Sequence, residues 1–272
     1  MTARLGITLP SFRTSADPSL AVAHAAEAAG LDGVFAYDHL FRHAADGTRR
    51  PAIEMFALLG AVAAGTSRVA VGSLVARATL RPPATLARGF DTVARIAGTG
   101  RVLAAVGAGD HQSRDENESY GLPFGTISER VDALREAVVA TRDRGYPVWV
   151  GGHVGRVRAL AEADSDGWNW WGASVDAFRA RAAEVRAAAA RTPFVVSWGG
   201  LVVLAEDDAA ADAKARRLGA GLGVIVGGPE RVADALRDYV DAGADWLMVG
   251  FVDSADPDNA SIFGEQVAPL LR

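Results

Sequence analysis

Among the side chains able to do chemistry, His39 comes first because it directly follows Asp38. An imidazole beside a carboxylate is the pairing from which reversible proton transfer near neutral pH is built. A single histidine more often packs or caps than reacts, so its place in the fold decides its meaning. His24 falls inside a predicted helix and His43 in a long loop, whereas His111 and His153 lie just past glycine turns. The one His-x-x-x-His spacing, His39 to His43, runs into a long loop rather than along a predicted helix, no glutamate sits between the two, and cysteine is absent, so no metal is expected. The run Gly151-Gly152-His153-Val154-Gly155-Arg156 places small residues between a predicted strand and a predicted helix. Unpaired N–H groups and the helix dipole favour an anion such as a phosphate there. Gly107-Ala108-Gly109, followed by Asp110, makes a second such turn. Each could be only a tight turn that needs glycine's freedom, but two on neighbouring strands point more strongly to an anion. Trp168, Trp170 and Trp171 could wall a ring-binding pocket, with Trp168 assigned to the core.

The elements that must position these residues follow a strand-then-helix alternation. Apolar runs predict strands at Leu5–Leu9, Gly33–Tyr37, Val69–Val75, Val102–Val106, Pro147–Val150, Gly167–Trp170, Phe194–Leu204 and Trp246–Val249. The first helix is expected to open with Asp17 as cap and Pro18 in its first turn. Further helices are expected near Pro51–Ala64 and Pro83–Ala97, and one opens at Thr126, where Glu129 completes a capping box. Arg42–Arg50 is the longest unassigned stretch and a candidate lid. Continuous apolar strands separated by helices indicate a parallel sheet covered by helices, and eight units favour an α/β fold of the (β/α)8 TIM-barrel type. An open doubly wound sheet is the runner-up. It lacks its dinucleotide fingerprint, because Pro10-Ser11-Phe12 follows the first strand. No linker or repeat divides residues 1–272, so a single domain is expected.

A barrel places its site at the strand C-termini. That filter selects Asp38 and His39, Ser73, Leu74 and Ala76, Gly107 to Asp110, Gly151 to His153, and Asn169 to Trp171. The net charge of −5 offers no basic face for nucleic acid, although an anionic small molecule could still meet a local arginine cluster. The first residues do not read as a signal segment, and no apolar run reaches the ~18 residues of a membrane span, so a soluble cytoplasmic protein is expected.

In order and nearly end to end, the chain also resembles the luciferase-like monooxygenase family, especially its deazaflavin-dependent members. The matching blocks include Ala26 to Val34 leading to Asp38-His39-Leu40, Gly65 to Gly72, Leu80 to Ala87, and Val106-Gly107-Ala108-Gly109. Tyr120 to Phe124, Pro147 to Gly152, Ala163 to Asn169 and Gly228 to Asp245 continue them. No one block is specific; their collinearity is. The resemblance implies a flavin-like ring at the strand C-termini over a non-proline cis peptide between Ser73 and Leu74. It implies acid/base or charge-stabilising roles for His39 and Asp110, the latter standing where glutamate is frequent, and phosphate contacts at Gly107, Ala108, Gly151 and Gly152. With Asp38, Ser73, Leu74, Ala76, Gly109 and His153 these are the expected cofactor-binding positions. The implied cofactor is coenzyme F420, with FMN as the alternative. The implied activity is hydride transfer between F420 and a small carbonyl, alcohol or activated alkene. The alternatives are an FMNH2-dependent monooxygenase served by a separate reductase and a non-catalytic flavin-binding barrel. A homodimer through the helices near 51–64 and 83–97 is expected.

Overall fold

The computed structural model describes residues 3–44, 46–98, 100–110 and 112–272. Eight parallel strands form its centre: β1 (Arg4–Thr8), β2 (Gly33–Ala36), β3 (Ala70–Ser73), β4 (Val102–Gly107), β5 (Val148–Gly151), β6 (Gly167–Trp171), β7 (Val195–Leu204) and β8 (Trp246–Phe251). Each pairs with the next, and β8 returns to β1, so the sheet closes into a (β/α)8 barrel. The strands expected from the apolar runs are all present, with small shifts at their ends.

Alternation along the strands makes two cores. Outward residues such as Leu5, Ile7, Val34, Val71 and Val150 pack under the helices. Inward Phe35, Ala105, Trp149, Trp246 and Met248 form a separate cluster inside the barrel. Glycines make room for these rings: a Cβ on Gly167 would lie 2.6 Å from Trp149, and one on Gly33 would lie 3.1 Å from Trp246. Side chains therefore fill the barrel's interior, which leaves its C-terminal rim for ligands.

Several expectations shift locally. Asp17 is the first residue of its helix rather than the cap, a position held by Ala16 with no side-chain hydrogen bond. The second helix runs Met55–Gly65 and begins after Glu54, whose carboxylate accepts the Ala57 N–H at 2.7 Å. Pro83–Ala97 and the Thr126–Glu129 capping box are as expected. The candidate lid is an antiparallel hairpin, Phe41–His43 with Arg49–Pro51. The polar stretch after β4 contains a short helix, Ser113–Ser119.

The non-proline cis peptide is Leu74–Val75, one residue beyond the expected Ser73–Leu74 bond. Ser73 is still held in the ladder opposite Ala36, and its hydroxyl donates to the Ala105 carbonyl at 2.7 Å. The chain departs only after it, and Ala76 and Arg77 rejoin the sheet beside Val106 and Gly107. Among the described residues no helix is long and apolar enough to cross a membrane, and no group of three His, Cys, Asp or Glu is placed to hold a metal.

Candidate functional site

Past the end of β2, neighbouring residues take opposite directions. Asp38 is buried, and its carboxylate receives the Arg81 guanidinium at 2.7 and 3.1 Å and the Arg77 N–H at 2.8 Å. His39 pairs instead with Glu116. Its Nδ1 donates to Oε1 at 2.7 Å, while Oε2 accepts the Leu40 N–H at 2.6 Å and the Arg77 guanidinium at 3.0 Å. Glu116 and Arg77 are each 3% exposed, whereas the His39 side chain keeps 27% of its surface open. Burial pushes the Glu116 carboxyl up, but the hydrogen bond and charge of His39, the Leu40 N–H and the Arg77 cation together hold it below the usual carboxylate range. An ionised acceptor on Nδ1 orients the ring and leaves Nε2 as the nitrogen to exchange a proton.

Aromatic rings surround this imidazole. Phe12, just beyond β1, has its centroid 5.6 Å from that of His39, Tyr37 lies at 6.4 Å, and Trp171 meets Tyr37 edge-on at 6.0 Å. Burial pushes the Tyr37 phenol up to about 12, so it stays protonated and donates to Thr8 Oγ1 at 3.0 Å.

The rim continues through β3 to β5. Leu74, Ala76 and Ala108 are buried there. Register sets Arg77 beside Gly107 and Gly107 beside Gly151. A Cβ on either glycine would fall 2.5 Å from a Val75 methyl, so both must be glycine for the Leu74–Val75 segment to sit on them. Gly109 has φ +75°, and the exposed Asp110 next to it accepts the Ser113 N–H at 3.0 Å and the Ser113 hydroxyl at 2.9 Å. Asp110 thereby anchors the start of the helix that carries Glu116. Gly152 has φ +126° and opens the turn to helix Gly155–Asp164, which no side chain caps. The indole of Trp168, fully buried as expected, fixes this turn by donating to the Gly152 carbonyl at 2.7 Å. His153 is exposed and stacks on Trp170 at 5.4 Å. His111 lies outside the described residues.

The strand-end filter thus brings His39, Leu74, Ala76, Gly107 to Asp110 and Gly151 to His153 to one rim. It does not deliver the partner of His39. Glu116 and Arg77 escaped the sequence reading. Tyr37, directly after β2, and Phe12, four residues past the end of β1, were within reach of the same filter.

A model of the luciferase-like monooxygenases matches residues 4–223. The chain belongs to this family. Among relatives of this luciferase-like protein, an F420-dependent glucose-6-phosphate dehydrogenase of Beutenbergia cavernae is 37% identical over 155 residues, which are 56% of this chain and 42% of that one. The chain therefore matches less than half the length of that relative. An uncharacterised protein of Mycobacterium tuberculosis is 28% identical over 226 residues, covering 67% of this chain and 77% of its own. Among solved structures, an F420-dependent secondary alcohol dehydrogenase with a bound F420-acetone adduct superposes with a TM-score of 0.82 at 20% identity over 100% of both chains. An EDTA monooxygenase from Chelativorans sp. BNC1 reaches 0.80 at 16% identity, over 100% of this chain and 94% of that one. These two establish a shared fold.

Proposed function

We propose that the protein is an F420-dependent oxidoreductase acting on a small carbonyl, alcohol or activated alkene, with His39 managing the proton. The observation that carries this reading is the His39–Glu116–Arg77 chain: a half-open imidazole held by a buried carboxylate that is itself held by a buried cation. The F420-dependent relative supports the choice of coenzyme.

The residues present suit the coenzyme. Leu74, Val75 and Ala76 over Gly107 and Gly151 offer an apolar bed for a planar ring, and Phe12, Tyr37 and Trp171 line the opening. Gly151, Gly152 and His153 offer an uncapped helix start to a phosphate. The other proposed contacts are Asp38 and Ser73, which brace the bed, and Ala108 and Gly109 beside it. When bound, the coenzyme supplies the hydride-transfer chemistry. His39 gives a proton from Nε2 to the substrate oxygen, or takes it in the reverse direction. Glu116 stabilises the imidazolium form, Arg77 keeps Glu116 ionised, and Asp110 holds the helix that delivers Glu116. FMN is the alternative occupant, with FMNH2 delivered by a separate reductase. An assembled proton relay weighs against a barrel that only binds.

Glu116→Gln tests the relay. The amide keeps the shape but loses the charge that favours imidazolium, so turnover should fall by roughly ten- to a hundredfold, less than on losing the ring itself. The pH–rate profile should move toward lower pH. A merely structural Glu116 would lower the melting temperature and leave the profile where it was. The stability that Glu116 contributes follows from its depressed carboxyl: it is fully present above the unfolded value of about 4.3 and lost as pH falls through the folded one.

We propose further that the protein is a cytoplasmic homodimer through helices Met55–Gly65 and Pro83–Ala97, the latter carrying an exposed Ile96. Light scattering should give about twice the 28.3 kDa of one chain. A monomer mass at micromolar concentration would contradict the dimer.

A further inference from the structure

The hairpin beside the mouth sets like charges opposite each other twice. His43 faces Arg49 across the ladder, and Arg42 faces Arg50. Directly opposed like charges destabilise a strand pair. At the first pair the chain supplies a remedy: one Asp115 carboxylate takes His43 Nε2 at 2.8 Å and the Arg49 guanidinium at 3.4 Å. Alternation turns the second pair to the other face of the hairpin, where neither arginine makes an ion pair among the described residues; the exposed Asp46 lies within reach of the Arg50 charge, but its carboxylate hydrogen-bonds to Thr48. The Arg42 guanidinium lies over the Phe12 ring, 4.8 Å from its centroid, and Phe12 in turn packs against His39. Arg13 follows Phe12 in the chain and likewise makes no ion pair among the described residues. Partial burial, then repulsion from Arg50 and Arg13, holds the Arg42 guanidinium below the usual arginine range. On a chain of net charge −5, three arginines that make no ion pair among the described residues, gathered at one edge of a site, call for an anion.

We propose that Arg13, Arg42 and Arg50 form an oxyanion subsite that binds a phosphate or carboxylate group of the substrate, playing for Arg42 and Arg50 the part that Asp115 plays for His43 and Arg49. The assignment to substrate rests on the function proposed above. The coenzyme phosphate is placed there at the end of β5, while the hairpin follows β2, with β3 and β4 between them in the barrel. The substrate of the reaction is accordingly a carbonyl, alcohol or alkene that carries an anionic group, with its reacting atom toward His39.

The test titrates the full-length protein with inorganic phosphate, and separately with acetate, at fixed pH and ionic strength, following the histidine ring NMR signals. His39 and His43 report on the hairpin, and His153 reports independently on the Gly151–Gly152 turn. Saturable shifts of His39 and His43 are expected with at least one anion. The double variant Arg42→Gln/Arg50→Gln, with its fold checked by melting temperature, should weaken that anion's binding by about tenfold or more. A response to acetate alone assigns a carboxylate, and a response to phosphate alone assigns a phosphate. Shifts confined to His153, no shifts at all, or shifts that persist in the double variant overturn the subsite. F420 affinity of the double variant should stay within about threefold of wild type. A tenfold loss would give the arginines to the coenzyme's anionic tail and overturn the assignment to substrate. Failure of the wild-type protein to bind F420 would instead remove the coenzyme reading, which the phosphate titration does not use.

Discussion

His39→Ala should lower turnover by about 10²- to 10⁴-fold, the usual worth of a positioned general acid or base, and leave coenzyme affinity within a few fold. Hydride delivered to a carbonyl leaves an alkoxide that must be protonated, and the reverse reaction needs a base for the same proton. The imidazole meets both needs because Glu116 accepts from Nδ1 at 2.7 Å while the ring keeps an open face at the rim. The coenzyme bed lies on β3, β4 and β5 and does not depend on this side chain. If His39 were only a packing residue against Phe12 and Tyr37, its loss would lower the melting temperature or coenzyme affinity and spare the rate per loaded site. Single-turnover kinetics with saturating coenzyme separates these outcomes, because it reads the chemical step apart from binding.

Gly152→Val should weaken coenzyme binding on the order of a hundredfold or more, through lost hydrogen bonds to a charged group. Two effects act together. The residue has φ +126°, a conformation that a β-branched side chain rarely adopts, and a Cβ there would lie 3.2 Å from Val157 in the first turn of the following helix. Either effect redirects the N–H groups at the helix start, where the phosphate is proposed to bind. The indole of Trp168 holds the Gly152 carbonyl, so the turn has little room to relax. Unchanged coenzyme affinity in a folded variant would remove the phosphate from this turn.

The barrel was legible because a parallel strand buried on both faces is a continuous apolar run, and eight such runs alternate with helices. Thr126 and Glu129 were legible because a capping box is a local pattern. The partner of His39 was not legible. Asp38 adjoins it in sequence, but consecutive residues at a strand end point to opposite sides, and Asp38 turns to Arg77 and Arg81. Glu116 reaches His39 from 77 positions away, on a short helix that is polar all round and so carries no apolar periodicity. The hairpin was hidden for a similar reason. Phe41 is the one buried residue of its two strands, and arginines occupy the positions where alternation would otherwise mark a strand. The cis bond moved one residue because the ladder partner of Ser73 is a long-range fact, invisible in the local sequence.

The most direct test of the central claim is a pair of titrations of the cofactor-free protein, one with F420 and one with FMN, followed by quenching of tryptophan fluorescence. Trp170 and Trp171 lie at the rim and report on either ligand. F420 should bind saturably and at least about tenfold more tightly than FMN, a difference of about 1.4 kcal/mol. Tighter binding of FMN, or no binding of F420 by the folded protein, would contradict that claim.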